Sequence, residues 1–162
     1  MEFNTDKYQL DLKKAINHFW EIRNKQTVGR SKSDQGNRSA VTGGKQLDGF
    51  IDILTKVASD FGIPKKFIYT KGNKLPGFYR PTKDWDILII SPKGKLIVVI
   101  EFKSQVGSFG NNFNNRTEEA LGSAVDLWTA FKENGFLQTQ PPWVGYLMLI
   151  EKSEKSISKV KI

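Results

Sequence analysis

Three residues in the middle of the chain have the types and spacing to do chemistry: Asp86, Glu101 and Lys103. Only Phe102 separates Glu101 from Lys103. Alternate residues of a strand share a face, so these two side chains stand on one side, about 7 Å apart at the backbone. The run before them, Leu96 to Ile100, is apolar. A carboxylate and an ammonium at the end of a buried strand are costly unless they pair or bind something.

The residues upstream supply a partner. Trp85 to Ile90 reads as a strand, Ser91-Pro92-Lys93-Gly94 as a turn, and Lys95 to Lys103 as a second strand. With a four-residue turn, Ile90 faces Lys95 and Asp86 faces Val99. Asp86 then lies diagonal to Glu101 on the same face, within reach of one shared ion. The same pairing sets Asp84 directly opposite Glu101, which makes it a rival ligand. Two carboxylates without cysteine or a paired histidine form an oxygen donor set, suited to Mg²⁺ or Mn²⁺ rather than Zn²⁺. A cation there neutralises phosphate charge and acidifies a bound water, while an ammonium at Lys103 stabilises negative charge that grows in a transition state. The alternative is purely structural: a buried ion pair of Lys103 with Glu101 or Asp86 that closes the end of a sheet.

These residues need a scaffold, and the hydrophobic pattern outlines one. Leu12, Ile16, Phe19, Trp20 and Arg23 recur at helical spacing and predict an amphipathic helix over 8–24. His18, the single histidine, lies among them and is expected at the core or its boundary. Residues 25–44 are polar, basic and Gly-containing, which predicts a long loop or arm able to touch phosphates. Gly43-Gly44-Lys45 is not a phosphate-binding loop, because Ser39 and Gln46 stand where that motif needs Gly and Ser/Thr. Leu47, Phe50, Ile51, Leu54, Val57, Ala58 and Phe61 form a second helical stripe, ended by Gly62 and Pro64. Phe67 to Thr70 predicts a short strand, and Lys71 to Thr82 a loop. Both faces of the 85–103 hairpin are apolar, which places it in the middle of a covered sheet. Gly107 to Asn115 reads as a loop. A long helix follows, with Ala120, Leu121, Ala124, Val125, Trp128 and Phe131 as its inner face and Asn115 with Glu118 as its capping box. Trp143 to Ile150 is the last strand and 151–162 a tail.

Composition sets outer limits. The chain has 162 residues, 38% of them hydrophobic and 12% aromatic, which excludes a wholly disordered chain. No apolar run approaches the roughly 20 residues of a membrane helix. The absence of a signal-like segment and of cysteine leads us to expect a cytoplasmic protein. The net charge is +8, and residues 1–80 hold 15 Lys and Arg against 8 Asp and Glu. That imbalance suits a polyanion, nucleic acid before membrane.

The spacing Asp86, fourteen residues, Glu101-Phe102-Lys103 resembles the PD-(D/E)XK nuclease superfamily. Trp85 stands where the literal motif has Pro. Longer stretches are more specific: Val41 to Phe50, Lys83-Asp84-Trp85-Asp86, Ile100 to Val106 and Phe109 to Ala120 resemble the XhoI-type type II restriction endonucleases. The resemblance runs over most of residues 12–150. It implies an α/β fold with a restriction-endonuclease-like core (α-β-β-β-α-β), a central mixed sheet flanked by helices. It implies one nuclease domain: an N-terminal helix and basic loop (1–44), a catalytic core (45–150) and a tail (151–162). Members of that family run further past the last strand, so a C-terminal portion is expected to be lacking.

The resemblance further implies Mg²⁺-dependent hydrolysis of double-stranded DNA at a short palindromic site, with Mn²⁺ able to substitute. It implies a homodimer and a cognate DNA methyltransferase as genetic partner. Asp86 and Glu101 would be metal ligands and Lys103 the catalytic lysine, with Asp48 and Asp84 as further candidate ligands. Arg116, Asn114, Asn112, Lys83, Arg80 and Arg38 are the candidate DNA contacts, and Gln105 a candidate orienting group. Two rival expectations stand beside this one: a repair or junction-resolving nuclease on the same core, and a DNA-binding module without catalysis.

Overall fold

The structure, a computed structural model, describes residues 4–28, 45–107, 109–136 and 140–158. The chain divides into two compact units, 1–65 and 66–162.

In the first unit, helix α1 (Gln9–Val28) lies against helix α2 (Asp48–Asp60). Tyr8, Ala15 and Phe19 are buried, as are Leu47 and Phe50. Ion pairs fasten the outside: Lys56 to Asp11 at 2.6 Å and Lys7 to Asp60 at 2.9 Å. Helix α2 ends where Gly62 N–H donates to the Ser59 carbonyl and Ile63 N–H to that of Ala58, so its last carbonyls are satisfied. Two expectations fail here. Leu12 is exposed, and so is His18, whose Nε2 lies 3.3 Å from the Lys45 carbonyl oxygen. Tyr8, one turn before the predicted stripe, takes the buried position instead. The expected basic loop begins later than 25, because α1 continues to Val28; its remaining residues lie outside those described.

The second unit is built on a mixed sheet. Strands β1 (Ile68–Tyr69), β4 (Ile87–Ile90), β5 (Leu96–Gln105) and β6 (Trp143–Ile150) stand in the order β1-β4-β5-β6. The first three are antiparallel to their neighbours, and β6 runs parallel to β5. Helix α3 (Phe109–Lys132) makes the crossover between these two parallel strands. A parallel pair needs such a long connection. Leu127 of α3 joins Trp85, Leu88, Leu96 and Val99 in the core. Helix α4 (Glu154–Ile157), capped by Ser153, lies in the expected tail.

The stretch read as a loop, 71–82, holds most of a second, small hairpin. Strand β2 (Lys74–Pro76) pairs antiparallel with β3 (Thr82–Asp84). Each strand has three residues, too short for periodicity to register.

Helix α3 departs from expectation twice. It begins at Phe109, so Asn115 and Glu118 lie inside it and form no N-terminal capping box. Each Asn costs only tenths of a kcal/mol against Ala in a helix interior, and adding a turn to a formed helix is cheap once it is nucleated. The inner face also differs. Ser123, Asp126, Leu127 and Ala130 are buried, while Leu121, Val125 and Trp128 are 63%, 51% and 42% exposed. Counting apolar residues selected the wrong stripe because the true one contains a carboxylate.

That carboxylate has partners. Asp126 Oδ1 accepts hydrogen bonds from Phe78 N–H (3.0 Å) and Tyr79 N–H (2.7 Å), and its Oδ2 lies 3.1 Å from Arg80 Nε. The turn 77–80 is thereby clamped to α3. A Cβ at Gly77 would collide with Asp126 Oδ2 and with Arg80, so glycine is required for this close approach.

Candidate active site

The hairpin β4–β5 sets the site. Its observed register is Ile87 with Ile100, Leu88 with Val99 and Ile89 with Val98. This lies two residues away from the expected pairing, for two local reasons. The turn is tighter, since Ser91 N–H donates to the Lys95 carbonyl and Gly94, at φ +74°, closes a three-residue loop. A bulge at Ile89/Ile90 then inserts one more residue. Each slip alone would turn the following residues to the opposite face, but two restore it.

Asp86 lies in a bend just before β4, where the pairing with β5 ends. Asp86 N–H donates to the Ile100 carbonyl, and Asp86 Oδ2 accepts from Phe102 N–H at 2.6 Å. Burial pushes the Asp86 carboxyl above its ordinary range. The Phe102 N–H opposes that shift, the neighbouring Glu101 carboxylate adds to it, and Lys103 and Lys83 pull it back.

Glu101 is 4% exposed. Two ammoniums face it. Lys103 Nζ lies 2.6 Å from Oε1, and Lys83 Nζ lies 3.1 Å from Oε2. Oε2 is buried and has no hydrogen bond, so its contact with Lys83 is one of charge and distance. Lys83 Nζ also lies 4.8 Å from the centre of the Trp85 ring, close enough for a cation–π contact. The alternation of β3 explains its placement: Thr82 and Asp84 are exposed, and Lys83 between them points inward.

Other candidates fall elsewhere. Asp84 does not pair with Glu101. It pairs with Lys74 in the small hairpin, with Lys74 Nζ 4.0 Å away and its side chain 62% exposed. Arg80 is held by Asp126. Arg116 Nη1 is 2.6 Å from Glu119 Oε2, one turn along α3. Asn114 is exposed on that helix, which also carries Asn112, and Arg38 lies outside the described residues. Gln105 is buried at the end of β5. Asp48 belongs to the first unit, where it lines a groove of about 650 Å³ with Asp11, His18 and Asp52.

Two residues that the pattern did not single out prove important. Asn73, 1% exposed, donates from Nδ2 to the carbonyls of Tyr69 and Asp86 and so holds the backbone at the ligand candidate. A Gly-Asn pair in a polar loop carries no signal for that role. Tyr146 is the register partner of Glu101 on β6. Burial lifts its hydroxyl pKa to about 12. Its position could have been read from the parallel pairing, had the register been known.

Chemically, the site is two carboxylates, one on β5 and one just before β4, with two ammoniums around them. Both carboxylates offer oxygen, and Glu101 Oε2 is a buried acceptor without a hydrogen bond. This donor chemistry fits a hard divalent cation. The restriction endonuclease XhoI family matches over residues 25–162. The type II restriction enzyme BstVI of Geobacillus stearothermophilus is 49% identical over 145 residues, covering 86% of this chain and 63% of that protein. This chain belongs to the XhoI restriction endonuclease family.

Two further relatives are type II restriction enzymes. AbrI of Azospirillum brasilense is 43% identical over 155 residues, covering 92% of this chain and 69% of its own. XhoI of Xanthomonas vasicola is 43% identical over 152 residues, covering 91% and 61%. The chain therefore spans somewhat under two thirds of BstVI and of XhoI. No solved structure matches it. In chain order, helix α2, the main-sheet strands β1, β4 and β5, helix α3 and strand β6 give the expected α-β-β-β-α-β order, with the small hairpin β2–β3 inserted between β1 and β4. Among the described residues no helix is long and apolar enough to cross a membrane.

Proposed function

We propose that this chain carries the catalytic core of a Mg²⁺-dependent type II restriction endonuclease, which hydrolyses phosphodiester bonds of double-stranded DNA at a short palindromic site. The observation that carries this reading is the convergence of Asp86, just before β4, with Glu101 and Lys103 of β5 in an XhoI-family chain. Asp86 and Glu101 would hold the metal. When bound, the metal supplies charge neutralisation at the phosphate and a more acidic water. Lys103 presents an ammonium beside Glu101, where it stabilises charge building on the phosphate. The buried surroundings strengthen each of these interactions by excluding water. Mn²⁺ substitutes for Mg²⁺. The active form is a homodimer, matching the symmetry of a palindrome. It works in the cytoplasm beside a cognate methyltransferase that protects host DNA.

Digestion of a plasmid in Mg²⁺ or Mn²⁺ tests the proposal. The unmodified chain should yield discrete fragments, and Lys103→Ala should lose at least a hundredfold in rate, in line with the loss of one transition-state charge partner. Equal cleavage by both proteins would remove Lys103 from the mechanism. Nicking that follows DNA structure rather than sequence would favour a repair or junction-resolving enzyme.

A further inference from the structure

Glu101 is flanked by two lysines where one would neutralise it, and the second is not explained by the reading above. The carboxylate is almost wholly buried, so an uncompensated charge there is strongly destabilising. Lys103, on the same strand, meets Oε1 at 2.6 Å. Lys83 meets Oε2 at 3.1 Å from a three-residue strand of the small hairpin, and that oxygen accepts no hydrogen bond. The looser ammonium therefore covers the one Glu101 oxygen that remains available to a cation. Lys83 also has somewhere to remain if it leaves Glu101, since its charge already lies over the Trp85 ring. Its side chain is 15% exposed, so it is not sealed in the core.

Charge counting shows the consequence. Asp86, Glu101, Lys83 and Lys103 sum to zero when all are ionised. A divalent cation added to that set leaves a local excess of two positive charges, which a nucleic-acid backbone can neutralise. Metal binding without DNA is then opposed by the lysines, and metal and DNA assist each other.

We propose that Lys83 is a displaceable counter-ion of the site: it occupies Glu101 Oε2 until a divalent cation takes that oxygen, and it makes metal loading depend on the polyanionic substrate. This rests on Asp86 and Glu101 being the metal ligands. Lys83 acts here as a positioning residue, through Glu101.

Mn²⁺ binding to the DNA-free protein, measured by electron paramagnetic resonance, tests the idea without reference to cleavage. Lys83→Gln and Lys83→Met should each bind Mn²⁺ about tenfold more tightly than the unmodified chain, since one nearby positive charge is gone. Lys83→Arg, which keeps the charge, should stay at the unmodified level. Lys83→Met retains an apolar stem against Trp85, so it guards against a fold lost through packing. In parallel, acylation of lysines read by mass spectrometry should label Lys83 several-fold faster once Mn²⁺ is added. Unchanged or weaker Mn²⁺ binding in both charge-removing variants would overturn the role of Lys83, while loss of binding in Glu101→Gln would show the metal site itself to stand. Absence of Mn²⁺ binding by the unmodified chain and by every variant would overturn both.

Discussion

Asp126 permits a quantitative test of how the second unit is held together. Its carboxylate is 3% exposed, accepts two backbone N–H bonds at 3.0 and 2.7 Å and lies 3.1 Å from Arg80 Nε. In Asp126→Ala all three contacts go. A hydrogen bond to a charged group contributes about 1.5–3 kcal/mol, but water can partly reclaim amides in a surface turn, so the two together are worth about 2–3 kcal/mol. Arg80 has a 41% exposed side chain, and its share is that of a surface pair, at most about 1 kcal/mol. The expected loss is about 3–4 kcal/mol, or roughly 10 °C in melting temperature for a chain of this size. Asp126→Asn keeps one carbonyl oxygen for both amides but loses the charge and the acceptor facing Arg80, so it should cost about 1–2 kcal/mol. Arg80→Ala should cost no more than about 1 kcal/mol. Urea denaturation followed by far-ultraviolet circular dichroism gives all three values. A loss below about 1 kcal/mol in Asp126→Ala, or a worse effect from Asn than from Ala, would refute the clamp as the reason a carboxylate sits on the buried face of α3.

Three other outcomes follow from the site. Asn73→Ala removes two buried side-chain-to-carbonyl bonds and leaves a small void, so urea denaturation should show a loss of about 2–3 kcal/mol; a change within about 0.5 kcal/mol would remove Asn73 as the support of Asp86. The Asp86 carboxyl holds its proton more tightly folded than unfolded, so its ionisation lowers stability as pH rises above the ordinary value of 3.8. Asp86→Asn, which cannot ionise, should match the unmodified chain at pH 3 and melt higher at pH 7; a lower melting temperature at pH 7 would contradict this. Tyr146 also has a raised pKa, about 12 against an ordinary 10.0, so native protein retains a proton that the unfolded chain releases. The stability advantage of Tyr146→Phe should therefore widen between pH 10 and pH 12, and paired urea titrations showing a constant difference would argue against burial of the hydroxyl.

Much of the architecture was legible because hydrophobic periodicity is local. The helix over 48–60, the β4–β5 hairpin and the last strand, Trp143 to Ile150, follow from runs long enough to show their period. The extension of α3 back to Phe109 was not legible, because a helix already nucleated downstream tolerates weak helix formers. The small hairpin β2–β3 was missed for its brevity.

The opening trio shows where the division lies. Sequence alone determined that Glu101 and Lys103 share a face, because strand side chains alternate whatever the strand pairs with. It also brought Asp86 near Glu101, although the hairpin register differs by two residues through a shorter turn and a bulge. Only the tertiary structure decided which acidic residue stands by Glu101, moving Asp84 out to the small hairpin and turning Lys83 in. Only it could show that the buried stripe of α3 carries Asp126, because a carboxylate reads as a surface residue until its hydrogen-bond donors, 46 to 48 positions away, are in place. Alternation and periodicity are properties of a few consecutive residues, whereas partners for buried charge come from distant parts of the chain, and folding alone selects them.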